Sequence, residues 1–280
     1  MRDTDIRGVD LRDLVFESIG GRRYVARITA QEPGILAGTE GLRREGERIG
    51  TEFTRLLQDG ARLRTGTIVA ELTGTPKQIA LSEDHLIGQV AKCSGVATAA
   101  ARAKALGGTI QVVCGAWKKM PVESKQALRR AVETGGLRTR ISSRNFVYMD
   151  KNYVRMFGTI ESTLEAVKRL DNRIKAVQVR GESSDVADEA VSACLNGADI
   201  VMIDTGMVAD VRRVSRRLKE EGLRGRVELA FAGNVHIEQL PCLNNEDIDI
   251  LDIGRAVIDA PLLDMQLDVV APHKQTGEGA

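Results

Sequence analysis

Charged side chains stand where several short apolar runs of the sequence end. Lys118 follows the run TIQVVC of residues 109–114, Asp150 and Lys151 follow FVYM, Asp204 closes DIVMID, and Asp252 lies within IDILDI. Ammonium groups suit carboxylates and phosphates, whereas carboxylates suit metal ions, sugar hydroxyls and amines. These residue types therefore predict binding of a small ligand that carries anionic or hydroxyl groups.

Each of these acids also has a structural interpretation. Asp204 could cap the helix predicted to begin near residue 208, although we favour its role as a ligand to a metal ion or a sugar hydroxyl. Asp150 and Asp252 could pair with their neighbours Lys151 and Arg255. They could equally bind a cation, an amine or a hydroxyl of a substrate, and the sequence leaves both roles open.

Residues 117–119 raise the same question on the basic side. Lys118 could clamp an anion or be a solvated lysine beside Lys119, and its place after a strand favours the clamp. Trp117 is the only tryptophan in the chain. Its ring could stack on a planar group or a cation, or it could pack at a domain interface.

The elements that must position these residues form a repeating pattern from residue 109 onward. β-Branched apolar runs alternate with amphipathic stretches, which predicts parallel βα units. Strands are predicted at 109–114, 146–149, 174–179, 199–204, 226–231 and 248–253, with helices at 122–133, 159–170, 184–195, 208–221 and 236–240. Six or seven such units fit a closed or nearly closed barrel, whose chemistry lies at the carboxyl ends of the strands. That rule selects segments 115–119, 150–151, 178–180, 204–206, 232–234 and 252–255.

Residues 1–108 show a different pattern. The segment ARLRTGTIVAELTG alternates like a strand, with Gly60, Gly66 and Gly74 as turns. A long helical stretch over roughly 78–106 follows it. We therefore expect a separate α+β domain at 1–108, a barrel domain at 109–270, and a polar disordered tail at 271–280.

Composition limits the function classes. Of 280 residues 42% are hydrophobic, and 40 Lys and Arg balance 39 Asp and Glu. This balance argues against a nucleic-acid binder, and no apolar run approaches the roughly 20 residues that span a bilayer. The charged N-terminus is unlike a signal peptide, and four widely spaced cysteines without a CxxC indicate reduced thiols in a cytoplasmic protein. A catalytic role for Cys93 or Cys114 is a minor alternative.

Four segments together resemble the quinolinate phosphoribosyltransferase family, also called nicotinate-nucleotide pyrophosphorylase (carboxylating). They are EPGILAG at 32–38, DGARLRTGTIVAELTG at 59–74, SEDHLIGQVAKCSGVAT at 82–98 and IDILDIGRAVIDAPLLDMQLDV at 248–269. The resemblance covers nearly all of residues 12–270. It implies the type II phosphoribosyltransferase fold, an α/β fold with an N-terminal α/β sandwich and a C-terminal incomplete α/β barrel. It also implies a homodimer with sites near the subunit interface.

The resemblance assigns roles to individual residues. Lys118 and Arg140 match basic residues that hold a pyridine dicarboxylate and phosphates, and Asp204 matches an acid that faces the ribose and magnesium. Mg²⁺ is therefore an expected cofactor, with Asp204 as its protein ligand. Gly233 and Gly254 match phosphate-loop glycines, whose backbone N–H groups suit an anion.

Other positions depart from the family pattern. Three acids replace residues of the family pattern: Asp84 stands for an arginine, Asp150 for a lysine and Asp252 for a serine. In addition, Trp117 stands for an arginine and Gln178 for a glutamate. Lys151 follows one position after the missing lysine, Asn234 replaces a loop glycine, and Arg255 lies beside the last loop. Added carboxylates in a partly desolvated site weaken the binding free energy of a phosphorylated dianion by roughly several kcal/mol. We therefore expect an acceptor other than quinolinate.

The leading hypothesis is a phosphoribosyltransferase-like enzyme acting on a small heterocyclic or carboxylated acceptor. The expected catalytic residues are Lys118, Asp150, Lys151 and Asp204. The expected substrate-binding residues are Asp84, Trp117, Arg140, Gln178, Gly233, Asn234, Asp252, Gly254 and Arg255. Two alternatives stay open: a lyase, isomerase or decarboxylase in which Lys118 or Lys151 forms a Schiff base, and a non-catalytic ligand-binding protein.

Overall fold

The computed structural model describes residues 10–273. The described chain forms two units, one of residues 10–98, 126–135 and 260–273, the other of residues 99–125 and 136–259. In the first half of the chain the elements are α1 (Leu11–Val15), β1 (Tyr24–Ala30), β2 (Gly34–Ile35), α2 (Thr39–Ile49), β3 (Glu52–Leu56), β4 (Arg62–Leu63), β5 (Ile68–Gly74), α3 (Pro76–Leu106), β6 (Gln111–Val113) and α4 (Val122–Thr134).

The second half continues the βα alternation. Its elements are β7 (Phe146–Met149), α5 (Lys151–Phe157), α6 (Ile160–Val167), β8 (Ile174–Val179), α7 (Val186–Leu195), β9 (Ile200–Ile203), α8 (Val208–Glu220), β10 (Glu228–Ala232), α9 (Leu240–Leu243), β11 (Ile250–Asp252), α10 (Arg255–Ile258) and β12 (Met265–Pro272). No helix within residues 10–273 is long and apolar enough to cross a membrane.

The first unit contains an antiparallel sheet in the order β12-β1-β5-β3. Ala26, Ile28 and Ala30 alternate along β1 and are fully buried, as expected when one face of a strand packs on a core. Leu36, Leu42 and Leu86 join that core. The unit is therefore the α/β domain that the N-terminal pattern predicts.

The second unit contains a parallel sheet in the order β6-β11-β10-β9-β8-β7. Its strands pair in register, for example Ala176 with Ile200 and Ala230 with Ile250. Residues at every second position share one buried cluster that includes Ile174, Ala176, Ile200, Met202, Ala230, Ile250 and Val113. This period of two defines the inner face of the sheet, so the next residues in the same phase face the same interior at the carboxyl ends.

Sheet closure is incomplete among the described residues, because β6 and β7 are the two edge strands. Outside the named strands, Arg138 forms an isolated parallel bridge with Val113 of β6. The Cys114 amide donates to the Arg138 carbonyl at 2.9 Å. The expected incomplete α/β barrel is confirmed as a six-stranded parallel half-barrel sheet. Five of the six predicted runs contain one of its strands, and β10 extends one residue beyond the sixth run, 226–231, to Ala232.

The chain divides differently from a boundary at residue 108. Residues 265–272 form β12, which pairs with β1 from Tyr24 to Ala30 and so belongs to the first unit. Sequence pattern assigned residues up to 270 to the barrel because βα units and a returning strand look alike locally. Ala271 and Pro272 of the predicted disordered tail lie in that strand, and residues 274–280 lie outside the described residues.

Candidate active site

Three side chains at the carboxyl ends of β8 and β9 form a hydrogen-bonded network. The Gln178 amide donates to Oδ2 of Asp204. The Arg180 guanidinium donates to the same Oδ2 at 2.9 Å and to the Asp204 carbonyl at 3.0 Å. Asp204 is thus held by a neutral donor and a cation, and we call Gln178, Arg180 and Asp204 the strand-end network.

The network extends to β7 through the main chain. The Lys151 amide donates to Oε1 of Gln178 at 2.7 Å. The Gln178 side chain therefore accepts at one strand end through Oε1 and donates at the other, to Asp204, through Nε2. A carboxylate at this position has no N–H and could not donate. The replacement of a family glutamate by Gln178 therefore matches the partners that surround it.

Asp252 lies at the end of β11, where its Oδ1 accepts a hydrogen bond from the Gly115 amide at 3.0 Å. Burial raises the pKa of Asp252, the Gly115 bond and the charge of Lys118 oppose that rise, and the negative charge of Asp204 adds to it. No ion pair to Asp252 is present within residues 10–273, since Arg255 pairs instead with Asp259 at 3.0 Å. Of the two roles that the sequence leaves open for Asp252, the ion pair with Arg255 is therefore not formed.

Asp150 serves as a helix cap. Its Oδ1 accepts from the Asn152 amide at 2.8 Å and the Tyr153 amide at 3.3 Å, satisfying two free donors at the start of α5. Lys151 is the first residue of that helix and is half-buried. The main-chain contacts of Asp150, and not an ion pair with Lys151, explain its position.

Trp117 and Lys118 lie in a short 3₁₀-helix of residues 116–119 after β6. The Trp117 indole donates to the Thr139 carbonyl at 3.3 Å, and the Lys118 Nζ lies 6.0 Å from the centre of the Trp117 ring. Lys118 and Lys119 are both exposed. This loop thus presents two ammonium groups beside a half-buried indole.

Arg140 lies at the open edge of the sheet. Its side chain is exposed, and its guanidinium carbon is 4.9 Å from the centre of the Phe146 ring at the start of β7. Stacking on an aromatic face fixes a guanidinium without neutralising it. Its predicted part in substrate binding stays a prediction.

The loops after β9 and β10 touch through their backbones. A Cβ added to Gly233 would come within 2.4 Å of the Gly206 nitrogen, and the Gly206 amide donates to the Ala232 carbonyl at 3.1 Å. Gly206 and Gly233 have φ of +72° and +115°, and Asn234 also has a positive φ of 54°. Only glycine permits this approach, so the glycines of the predicted phosphate loop have a structural requirement of their own.

The remaining predicted residues lie in separate surroundings. Gly254 precedes the four-residue helix α10, and Arg255 is exposed. Asp84 is exposed on α3 in the first unit, where its Oδ2 accepts from Arg12 at 2.7 Å. Asp204 does not cap α8, whose N-cap is Met207.

The donor set does not fit a resident Mg²⁺ ion. Within residues 10–273 no group of three or more His, Cys, Asp or Glu side chains could hold a metal ion. Oδ2 of Asp204 already accepts from the Gln178 amide and from the Arg180 guanidinium, whose positive charge opposes a dication. Oδ2 of Asp204 is therefore committed to Gln178 and Arg180 and is not available as a resident ligand of Mg²⁺.

The structure adds residues that sequence reasoning did not select as site residues. Tyr148 lies on β7 in the interior phase, against the inner cluster of the sheet. Burial raises the pKa of Tyr148, and the charges of Asp252, Asp204 and Asp150 raise it further, which places its phenol in the field of all three acids. The alternation Phe146, Tyr148, Asp150 already carried this signal, because the three positions share one face of β7.

The buried cysteines are not candidate nucleophiles. Burial raises the pKa of Cys93 to about 11 and that of Cys114 to about 12. The thiolate is the reactive form, so both thiols are inert near neutral pH. The minor alternative of a catalytic cysteine finds no support in their surroundings.

Comparison with known proteins gives matches along nearly the whole chain. The family model of the quinolinate phosphoribosyl transferase N-terminal domain matches residues 13–94, and that of the C-terminal domain matches residues 96–268. The rat nicotinate-nucleotide pyrophosphorylase (carboxylating) is 27% identical over 279 residues, covering 96% of this chain and 90% of its own length. A Methanothermobacter thermautotrophicus relative, described as "probable nicotinate-nucleotide pyrophosphorylase", is 26% identical, covering 93% and 94%.

Solved structures share the fold. The Pyrococcus furiosus nicotinate-nucleotide pyrophosphorylase superimposes with a TM-score of 0.80 at 18% identity, covering 99% of this chain and 77% of that one. The Francisella tularensis enzyme gives a TM-score of 0.77 at 22% identity, covering 92% and 90%. Both structures therefore share the overall fold of this chain.

Proposed function

This chain belongs to the quinolinate phosphoribosyltransferase family, and from that premise we propose that it transfers a phosphoribosyl group to a small heterocyclic or carboxylated acceptor other than quinolinate. The observation that carries the proposal is the strand-end network, which fixes one carboxylate, Asp204, at the carboxyl edge of a parallel sheet. Ligands of such sheets bind at that edge.

The proposed chemistry is displacement of pyrophosphate from the anomeric carbon of phosphoribosyl pyrophosphate by a ring nitrogen of the acceptor. The bond from carbon to pyrophosphate oxygen breaks as the bond from carbon to nitrogen forms, and positive charge develops on the sugar. Oδ2 of Asp204 is taken by Gln178 and Arg180, which leaves Oδ1 to face a ribose hydroxyl or that developing charge. Fixing the carboxylate beforehand avoids reorientation during the reaction.

Basic groups near the network would bind the anionic parts of the substrates. Lys118 and Lys119 are exposed after β6, and the charge of Lys118 acts on Asp252. We assign them to a carboxylate of the acceptor, with Arg140 as a further candidate. The Gly233 and Gly254 loops are the candidates for phosphate contacts.

The added acids disfavour quinolinate as the acceptor. Quinolinate carries two adjacent carboxylates, and the resemblance implies a lysine where Asp150 stands. Asp150 is committed to capping α5, and no ion pair among the described residues compensates Asp252. An acceptor with one carboxylate, or with a hydrogen-bond donor toward Asp252, suits this edge better than a dianion.

The experiment uses phosphoribosyl pyrophosphate labelled on the ribose, with Mg²⁺ supplied as part of that substrate. The purified chain is incubated with a panel of aza-heterocyclic monocarboxylic and dicarboxylic acids, and ribosylated products are separated and counted. We expect label transfer to one of the acids, reduced at least about 100-fold by Asp204→Asn. Absence of transfer together with absence of donor binding by calorimetry would overturn the proposal.

A borohydride arm separates the alternative chemistry. A stable adduct on Lys118 or Lys151 after incubation with a carbonyl substrate and reduction, seen by mass spectrometry, would support the Schiff-base alternative instead. The proposal also includes a homodimer, and light scattering on the purified chain decides that part separately.

A further inference from the structure

We propose that Glu189 is a positioning residue that holds the loop after β8 so that Arg180 reaches Asp204. The expected effect on catalysis rests on the proposed function. The claim that Glu189 holds the loop rests only on the contacts of Glu189. Glu189 lies in the first turn of α7 and is 4% exposed.

The Glu189 carboxylate is surrounded by donors from one loop. Its Oε2 accepts from the amides of Arg180 at 2.9 Å and Gly181 at 2.8 Å. Its Oε1 accepts from the amide and the hydroxyl of Ser183, both at 2.9 Å. Four donors on one carboxylate fix the path of residues 180–183.

This arrangement stabilises the charged form of a buried acid. Burial would raise the pKa of Glu189, but the hydrogen bonds from the Ser183, Gly181 and Arg180 amides outweigh it and leave that pKa lowered. Gly181 turns the loop with a φ of +72°, a conformation that glycine adopts without strain. The loop is therefore specified by two features, a glycine at the turn and a carboxylate beneath it.

The loop leads directly to the site. Arg180, whose amide is held by Glu189, places its Nη1 within 2.9 Å of Asp204 Oδ2. Its Nε also donates to Glu182 at 3.1 Å, which in turn accepts a bidentate pair from Arg155 on α5. Glu189 thus fixes the backbone from which the Arg180 side chain extends, and the Arg180 guanidinium in turn holds the Asp204 carboxylate in one orientation.

The first test measures hydrogen exchange of the loop amides in Glu189→Gln and needs no substrate. An amide side chain offers one acceptor and places N–H groups against the loop donors, so we expect exchange of the 180–183 amides to rise at least about tenfold. Asp188→Asn is the matched control, because Asp188 is the preceding residue on the same helix and pairs with Arg217 at 3.0 Å. Unchanged exchange in Glu189→Gln would overturn the proposal.

The second test is a double-mutant cycle with Arg180→Met, read as kcat/KM for label transfer. We expect Glu189→Gln to lower kcat/KM about 10- to 100-fold, mostly in kcat, and to add little once Arg180 is absent. Glu189→Asp, which keeps the charge, should recover part of the loss. Losses that multiply in the double variant would show that Glu189 acts through general stability and would overturn the positioning role.

The two outcomes separate this inference from the proposed function. If the wild-type chain transfers no phosphoribosyl group, the cycle has no readout, but the exchange experiment still decides whether Glu189 holds the loop. If transfer occurs and exchange in Glu189→Gln stays at the wild-type level, the positioning role fails while the proposed function stands.

Discussion

At the residue scale, the hydrogen-bond donors around Asp204 determine the orientation of its carboxylate. Gln178 and Arg180 occupy one of its oxygens, so the carboxylate is held in one orientation and partly neutralised. Sequence reasoning selected Gln178 and Asp204 but not Arg180, although Arg180 lies in a selected strand-end segment. Arg180 lies just past the end of β8, two residues after Gln178 and in the same phase, and that spacing was the available signal.

The remaining site residues divide by how local their contacts are. The contacts of Asp150 as an N-cap are local, because the cap and the amides it binds lie within three residues. Asp252 accepting from Gly115, 137 residues away in sequence, could not be predicted from local spacing. Local partners leave a trace in the sequence, whereas strand-order contacts need the fold.

Tyr148 provides a direct check on the acidic interior. Burial and the charges of Asp252, Asp204 and Asp150 raise its pKa, so its phenol stays protonated above the usual value of about 10. A spectrophotometric titration of wild type minus Tyr148→Phe should therefore show phenolate absorbance only above that pH. A difference spectrum that appears at or below pH 10 would place Tyr148 outside the field of the three acids.

Asp252→Asn tests the half-buried acid at the end of β11 through stability. The pKa of Asp252 is raised by burial in the folded chain, so the wild type loses stability as pH rises from about 4 through that raised value. Asparagine keeps an acceptor for the Gly115 amide and does not titrate. We expect the variant to gain roughly 1–3 °C in Tm over wild type at pH 8, with the gain shrinking at pH 4. A gain independent of pH would contradict a raised pKa.

At the element scale, an ion-paired cluster joins α8 to the amino-terminal side of β11. Asp247 accepts from Arg224 at 2.7 Å and from Ser215 at 2.6 Å, and pairs with Lys219 at 2.9 Å. Arg224 also reaches Asp249 at 2.8 Å. The cluster lies before the strand, away from the carboxyl-end residues, and its role is structural.

Removing that cluster's central acid should destabilise the second unit. Asp247→Asn should cost about 1–3 kcal/mol at pH 7, since a partly buried pair lies between surface and buried examples. The Arg224 bonds lower the pKa of Asp247, so its stabilisation is present above pH 4 and is lost as pH falls below it. Urea unfolding at pH 7 and pH 4 measures the effect, with exposed Asp171→Asn as control. A loss equal in both variants would contradict this role.

The elements themselves show what periodicity can predict. The strands β6 to β11 coincide with the six β-branched runs to within a few residues, and α3 agrees with the long helix predicted at 78–106 to the same precision. The helix α5 (Lys151–Phe157) was not predicted, because seven residues give too short a window for a helical period. Its Asp150 cap was read as a candidate site residue instead.

At the scale of the whole molecule, elements that are neighbours in sequence can belong to different units. Strand β12 follows the barrel elements along the chain but pairs with β1 in the first unit. Met265 and Leu267 are buried in that core beside Ile28. Long-range strand pairing of this kind has no local signature, which is why periodicity could not place the return of the chain to the first unit at residue 260.

Truncation at Asp259 tests the returning strand. Without residues 260–280 the β1 edge loses its partner from Tyr24 to Ala30, leaving unpaired backbone groups and exposed Ile28. We expect most of the truncated protein to be insoluble, whereas a chain ending at residue 273 should be as soluble and as heat-stable as the full chain. Equal soluble yield and Tm after truncation at 259 would contradict the importance of β12.

The most direct measurement of the central claim is kcat/KM for quinolinate, set against the best acceptor found by label transfer, with phosphoribosyl pyrophosphate and Mg²⁺ in excess. Asp150 as a cap and Asp252 without an ion pair among the described residues disfavour a second carboxylate. We predict that quinolinate is used at least about 100-fold less efficiently than that acceptor, a difference of about 2.7 kcal/mol. A kcat/KM for quinolinate equal to or above that of every other acid would contradict the account.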